Sequence, residues 1–136
     1  MTQPALCAVS LYVGINALLL LVLAVNVGSR RGAQQQLQPG DVGDAVLTRA
    51  IRAHGNFAEY APIVLLLLLV LALLGFRPLW LHVYGAAFTV GRVIGAFGMM
   101  RAKHPNALRF TGNLVTGLAL LSGGLAAIVS AIELSG

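Results

Sequence analysis

The chain has 136 residues, 58% of them apolar and only 10% charged, whereas an average soluble domain carries about 25% charge. Its mean hydropathy of +0.86 excludes a water-soluble globule, and intrinsic disorder fails with it, because disorder needs low hydrophobicity and high charge. A formal charge of +5 would point to nucleic acid in a soluble protein, but here the cations cluster at the ends of apolar runs. Orientation in a membrane accounts for them, and no nucleic-acid partner is expected. Length and pattern predict one domain over residues 1–136, an all-α integral membrane bundle of four helices surrounded by lipid.

The first span covers about residues 6–27, broken only by the weakly polar Ser10, Asn16 and Asn26. As a helix it reaches about 33 Å, enough for a hydrocarbon core of roughly 30 Å. No basic residue precedes it, so it is expected to stay in the mature protein rather than to be cleaved as a signal peptide. Gly28 to Asp44 has the composition of a loop, and Asp44 is expected to be the N-cap of the second helix. The second span, about 46–74, begins before the membrane, enters it near Asn56, and contains Pro62 and the leucine block Leu65 to Leu69. Gly75-Phe76-Arg77-Pro78 is a tight connection to the third span, about 79–100, which holds Arg92. A short basic loop with Lys103, His104 and Pro105 leads to the fourth span, about 110–132.

The connections after the first and third spans lie on one side of the membrane. Arg30, Arg31, Arg49, Arg52, Arg101, Lys103 and Arg109 sit around them, while the opposite side has Arg77 alone. The positive-inside rule then places those connections in the cytoplasm and both termini on the non-cytoplasmic side.

The segment Arg49 to Pro62 carries the chemistry. At 100° per residue, Arg49, Arg52, Asn56 and Glu59 fall within an arc of about 80° on one helix face. A charge deep in a bilayer costs from about 3 kcal/mol upward unless it pairs or meets water, so this arc must face protein, a cleft or a ligand. An internal salt-bridge network, Arg52 or Arg92 to Glu59, is one reading. The other is a site for a small zwitterionic or anionic ligand, since Arg49, Arg52, Arg92 and Arg109 outnumber the single carboxylate. Asn56 would orient a ligand amide and Glu59 an ammonium group. That arithmetic suits a small acidic peptide better than a metal ion.

Arg52-Ala53-His54-Gly55-Asn56-Phe57-Ala58-Glu59-Tyr60-Ala61-Pro62 resembles the signature of the MAPEG family, the membrane-associated proteins in eicosanoid and glutathione metabolism. Size and four-span topology agree along nearly the whole chain, and the segment is most similar to the small bacterial inner-membrane branch. The resemblance implies a homotrimer of four-helix subunits in a bacterial inner membrane, with glutathione as co-substrate bound between neighbours at the cytoplasmic face. It implies glutathione contacts at Arg52, Asn56, Glu59 and Tyr60, and at an arginine near the end of the first helix, for which Arg30 and Arg31 qualify. A thiolate-stabilising arginine at the start of the fourth helix falls to Arg109 by position, with Arg101 second. Catalytic relatives present tyrosines along the third helix where this chain has Gly95 and Met99. The implied reaction is attack of the glutathione thiolate on a lipophilic electrophile or hydroperoxide, with no protein nucleophile.

Smaller features carry plainer expectations. Ala87, Gly91 and Gly95, and Gly112, Gly117, Gly123 and Gly124, read as helix-packing positions. His54, His82 and His104 are too scattered for a metal site, and His82 beside Trp80 and Tyr84 reads as an interfacial anchor. The lone Cys7 excludes an internal disulfide. Two other functions are alternatives: a non-catalytic scaffold or accessory subunit that keeps the MAPEG fold, which the missing third-helix tyrosines favour, and a small four-span transporter using Glu59.

Overall fold

The computed structural model describes residues 1–34, 43–101 and 106–136, and every regular element in them is a helix. They are α1 (Gln3–Gln34), α2 (Gly43–Leu73), α3 (Pro78–Met100) and α4 (Ala107–Ser135). All four are long and apolar enough to cross a membrane. Apolar sequence of this length becomes helix because lipid offers no partner to backbone N–H and C=O groups, which a helix satisfies within itself.

The four expected spans are all present, and the difference lies in their ends. Gly28 to Gln34, expected as loop, continues α1. Arg30 Nε donates to Asn26 Oδ1 one turn back at 3.0 Å, and Arg31 lies in the last turn, where a cation is favourable against the helix dipole. The helix α2 already includes Gly43, so Asp44 falls inside its first turn rather than at its N-cap. It also runs unbroken through Pro62. Residues 35–42 of the expected first loop, and Lys103, His104 and Pro105 of the second, lie outside the described residues.

The α2–α3 connection is set by local chemistry. Gly75 has a φ of +87°, a conformation that a side chain disfavours, and its N–H bonds to Ala72 O at 3.2 Å. The next N–H, of Phe76, reaches Leu71 O at 3.1 Å, which completes a Schellman ending. Pro78 then opens α3, where its missing N–H is no loss. At the other end of α3, Asn106 caps α4 by accepting from Leu108 N at 3.1 Å and donates to Gly98 O at 2.8 Å, tying the two helices at their junction.

In cross-section α2 and α3 form the centre. Both flanking helices, α1 and α4, pack against this pair, and among the described residues the two flanks do not touch. One buried cluster, around Phe57, Val64, Phe88 and Met99, fills the half nearer the end of α3. A second, around Tyr12, Leu68 and Leu81, fills the half nearer its start.

The α3 and α4 backbones approach closely at Gly112. A Cβ on Gly112 would lie 2.5 Å from Gly95 Cα and 2.7 Å from Gly91 O, so the backbones meet with no room for a side chain. Gly85 and Gly123 instead receive the aromatic rings of Tyr12 and Tyr84. Gly117 and Gly124, expected to pack in the same way, have nothing within 4 Å and serve no close approach in the subunit.

A polar link crosses α1 to α3 at Asn16, which is fully buried. Its Nδ2 donates to Thr89 Oγ1 at 2.7 Å and to Tyr12 O at 2.8 Å, and Thr89 in turn donates to Gly85 O. Near the start of α3, Tyr12 Oη lies 3.3 Å from His82 Nδ1, so His82 joins helices as well as standing near Trp80. Interhelical bonds of this kind contribute about 0.6–1.7 kcal/mol, so Asn16→Ala is expected to lower the thermal midpoint in detergent by a few degrees. Thr89→Val should cost less in that background than in the wild type, because the two share one bond.

A polar face on the second helix and the arginine behind it

The sequence of α2 from Arg49 onward divides its surface. Ala53, Phe57, Ala61 and Val64, spaced at three and four residues, are buried against the other helices. Arg52 and Glu59 between them turn away from the core and are exposed, Tyr60 is 38% exposed and Asn56 is half-buried. Of the polar arc read from the spacing, Arg52 and Glu59 are therefore on the outside of the subunit, while Arg49 and Asn56 are half-buried.

Depth makes this placement costly. Measured back from Leu73 at 1.5 Å per residue, a 30 Å core ends near His54, leaving Arg52 just outside it and Glu59 about 8 Å inside. A carboxylate at that depth on the outer face needs a cover of protein, water or ligand.

Arg92 stands behind this face. It is only 2% exposed, although it sits in the interior of α3. Its Nη1 donates to Asn56 Oδ1 at 2.7 Å and to Asn56 O at 3.3 Å, and its Nη2 donates to Gly112 O at 3.3 Å. One guanidinium thus joins α2, α3 and α4. The Tyr60 ring lies over it, with 5.9 Å between Cζ and the ring centroid, a cation–π arrangement. Gly112 O also accepts from Thr116 Oγ1 at 2.8 Å. Of the two readings of the arc, the salt bridge from Arg92 to Glu59 is not the arrangement found. The guanidinium is held by a neutral amide and backbone carbonyls.

The remaining cations are dispersed. Arg49 is half-buried, and its Nε has no partner among the described residues. Arg30 and Arg31 are exposed at the end of α1, with Arg30 engaged by Asn26. Arg101 is exposed at the end of α3, and Arg109 is exposed in the first turn of α4. A cation there opposes the helix dipole by about 0.3–1 kcal/mol, so local helix stability does not explain Arg109. Gly95 and Met99 are both buried inside the subunit and present no hydroxyl.

The partnership of Arg92 with Asn56 was missed by sequence reasoning, although a signal existed. Counted from the tight turn at Gly75, the two stand at nearly equal distances along a helical hairpin, and so at one depth. A groove of about 730 Å³ between α3 and α4 is lined by Trp80, Tyr84, Leu118 and Ser122 among others. It is almost wholly apolar and lies toward the start of α3, away from Arg92, so it is not part of the polar face.

The chain is 35% identical over 89 residues to Inner membrane protein YecN of Escherichia coli K12, covering 65% of this chain and 67% of that one. It is 27% identical over 130 residues to an uncharacterized protein of Synechocystis sp., covering 95% of this chain and 93% of that one. The profile of the MAPEG family matches residues 9–129. Four membrane-length helices, the Arg52–Tyr60 motif and this match along almost the whole chain identify an integral membrane protein that belongs to the MAPEG family.

Proposed function

We propose that the protein binds glutathione at the Arg52–Asn56–Glu59–Tyr60 face and either transfers its thiolate to a lipophilic electrophile or uses it to reduce a hydroperoxide, the O–O bond breaking to release an alcohol while the glutathione sulfur is oxidised. The observation that carries this reading is the exposed Glu59 carboxylate at hydrocarbon depth, beside Arg52 at the rim, which needs a cover that a single subunit does not supply. A homotrimer with one glutathione held between neighbours covers it, with the connections after α1 and α3 in the cytoplasm and both termini outside. Arg52 then meets a ligand carboxylate, Asn56 a carbonyl and Glu59 the ammonium group. Arg49, Arg30 and Arg31 add positive charge around the rim.

In this reading Arg109 stabilises the thiolate, with Arg101 as the next candidate. A cation beside a thiol lowers its pKa, so the nucleophile is formed without a protein base. Binding holds it against a partner arriving from the bilayer. A second reading, a non-catalytic scaffold with the MAPEG fold, is favoured by one observation: Gly95 and Met99 are buried where catalytic relatives present tyrosines.

Thermal-shift titration of the detergent-purified protein with glutathione tests both. Saturable stabilisation is expected, following the ratio of ligand concentration to Kd. Charge-assisted bonds contribute about 1.5–3 kcal/mol, so Arg52→Ala should weaken binding by about 10-fold or more while leaving the ligand-free midpoint nearly unchanged. No shift at millimolar glutathione would instead support the scaffold.

A further inference from the structure

We infer that Arg92 is a positioning residue: it locks the Asn56 side chain with its carbonyl oxygen inward, so that the site meets only amide donors at that point. The inference deepens the glutathione reading and rests on it for the identity of the ligand. The lock itself is a property of the protein alone.

The assignment follows from donor and acceptor chemistry. A guanidinium carries five N–H donors and no acceptor. The Asn56 atom 2.7 Å from Arg92 Nη1 must therefore be the oxygen, whichever way the amide would otherwise rotate. The same Nη1 also holds the Asn56 main-chain carbonyl at 3.3 Å, so side chain and backbone of this residue are gripped together. Asn56 is left with Nδ2 and its two N–H groups for anything that approaches from outside.

Arg92 cannot easily let go. It is 2% exposed, its Nη2 is tethered to Gly112 O on a third helix, and the Tyr60 ring lies across it. An amide left free presents either a donor or an acceptor, and would take an ammonium as readily as a carboxylate. The held amide rejects cations. Along α2 the order is then cation at Arg52, donor at Asn56 and anion at Glu59, over about 10 Å of helix. A peptide with a carboxylate, an amide carbonyl and an ammonium group in that order matches it, and a peptide entering in reverse does not.

Two arms test this. In the ligand-free arm, ¹⁵N-asparagine labelling reports side-chain amide pairs, and the Asn56 pair is the one that disappears in Asn56→Asp. Arg92→Gln is expected to shift that pair more than any other asparagine pair; an unmoved Asn56 pair would overturn the lock. Should Arg92→Gln fail to fold, Arg92→Lys serves, because a single ammonium cannot hold Asn56 and Gly112 together.

In the binding arm, Arg92→Gln and Asn56→Ala should each weaken glutathione binding about 10-fold, and the double variant also about 10-fold, because both remove one function. Effects that multiply to about 100-fold would mean that Arg92 meets the ligand itself, and would overturn the positioning role. Asn56→Asp is the sharpest single variant. It keeps a partner for Arg92, so its thermal midpoint should match or exceed the wild type, yet it offers no donor and should bind glutathione at least about 10-fold more weakly. Glutathione that fails to bind the wild type sinks the glutathione reading, and the amide arm then decides the lock alone.

Discussion

Gly112→Ala is expected to lower the thermal midpoint of the detergent-solubilised protein by about 10 °C, although it exchanges glycine for a better helix former. Two effects of opposite sign meet here. Alanine gains up to about 1 kcal/mol of helix propensity in an interior position. Against this, its Cβ would fall 2.5 Å from Gly95 Cα and 2.7 Å from both Gly95 N and Gly91 O. All three are main-chain atoms of a neighbouring helix, so no side chain can rotate away and the helices must separate. Overpacking of that kind costs about 1–3 kcal/mol. Separation also stretches the 3.3 Å contact from Arg92 Nη2 to Gly112 O, which leaves a buried cation short of a partner. The clash wins. Gly117→Ala, on the same helix with nothing within 4 Å, isolates the propensity effect and should be neutral or slightly stabilising.

Phe88→Ala is the second large effect, with an expected loss of about 2–4 kcal/mol, below the roughly 3–5 kcal/mol such a change costs in a soluble protein. Phe88 is 0% exposed and packs with Phe57, Val64 and Met99 in the cluster that backs the polar face. In a soluble protein, part of the cost is for returning apolar surface to water. A membrane protein loses that part, because lipid is as apolar as the core. The cavity remains, and with it the missing dispersion contacts of an aromatic ring. Phe97→Ala on the same helix removes an equal side chain that is 56% exposed, and should stay within about 0.5 kcal/mol of wild type. Thermal denaturation of the four variants in one detergent checks both results. Similar losses for Phe88→Ala and Phe97→Ala would contradict the packing described.

These pairs of variants also mark where the sequence is informative. The four spans were legible because hydropathy reports contact with lipid directly, and the ends were not, because residues beyond the hydrocarbon carry no such signal. Gly28 to Gln34 has loop composition, yet it continues α1, with Arg30 reaching back to Asn26. Gly112 and Gly117 are the same residue five positions apart. Only the rotation of α4 about its axis makes one a crossing point and the other a free surface.

The candidate site divides in the same way. Periodicity alone placed Arg52, Asn56 and Glu59 on one face, and they share one. The sequence also shows that an intramembrane Arg92 needs partners. Charge suggests a carboxylate, whereas the fold supplies an amide and two main-chain carbonyls, and carbonyls are invisible to any reading of side-chain types.

The flanking helices, which do not meet among the described residues, have a consequence for how such a chain is built. Synthesis from the N-terminus delivers α1, then the central hairpin, so a cluster of three mutually packed helices is complete before the last helix emerges. That last helix docks on the central pair from the free side, and no earlier contact has to open to admit it. Nor must the two ends of the chain be brought together, a closure whose entropy grows with the length enclosed. Assembly in the bilayer can follow the order of translation.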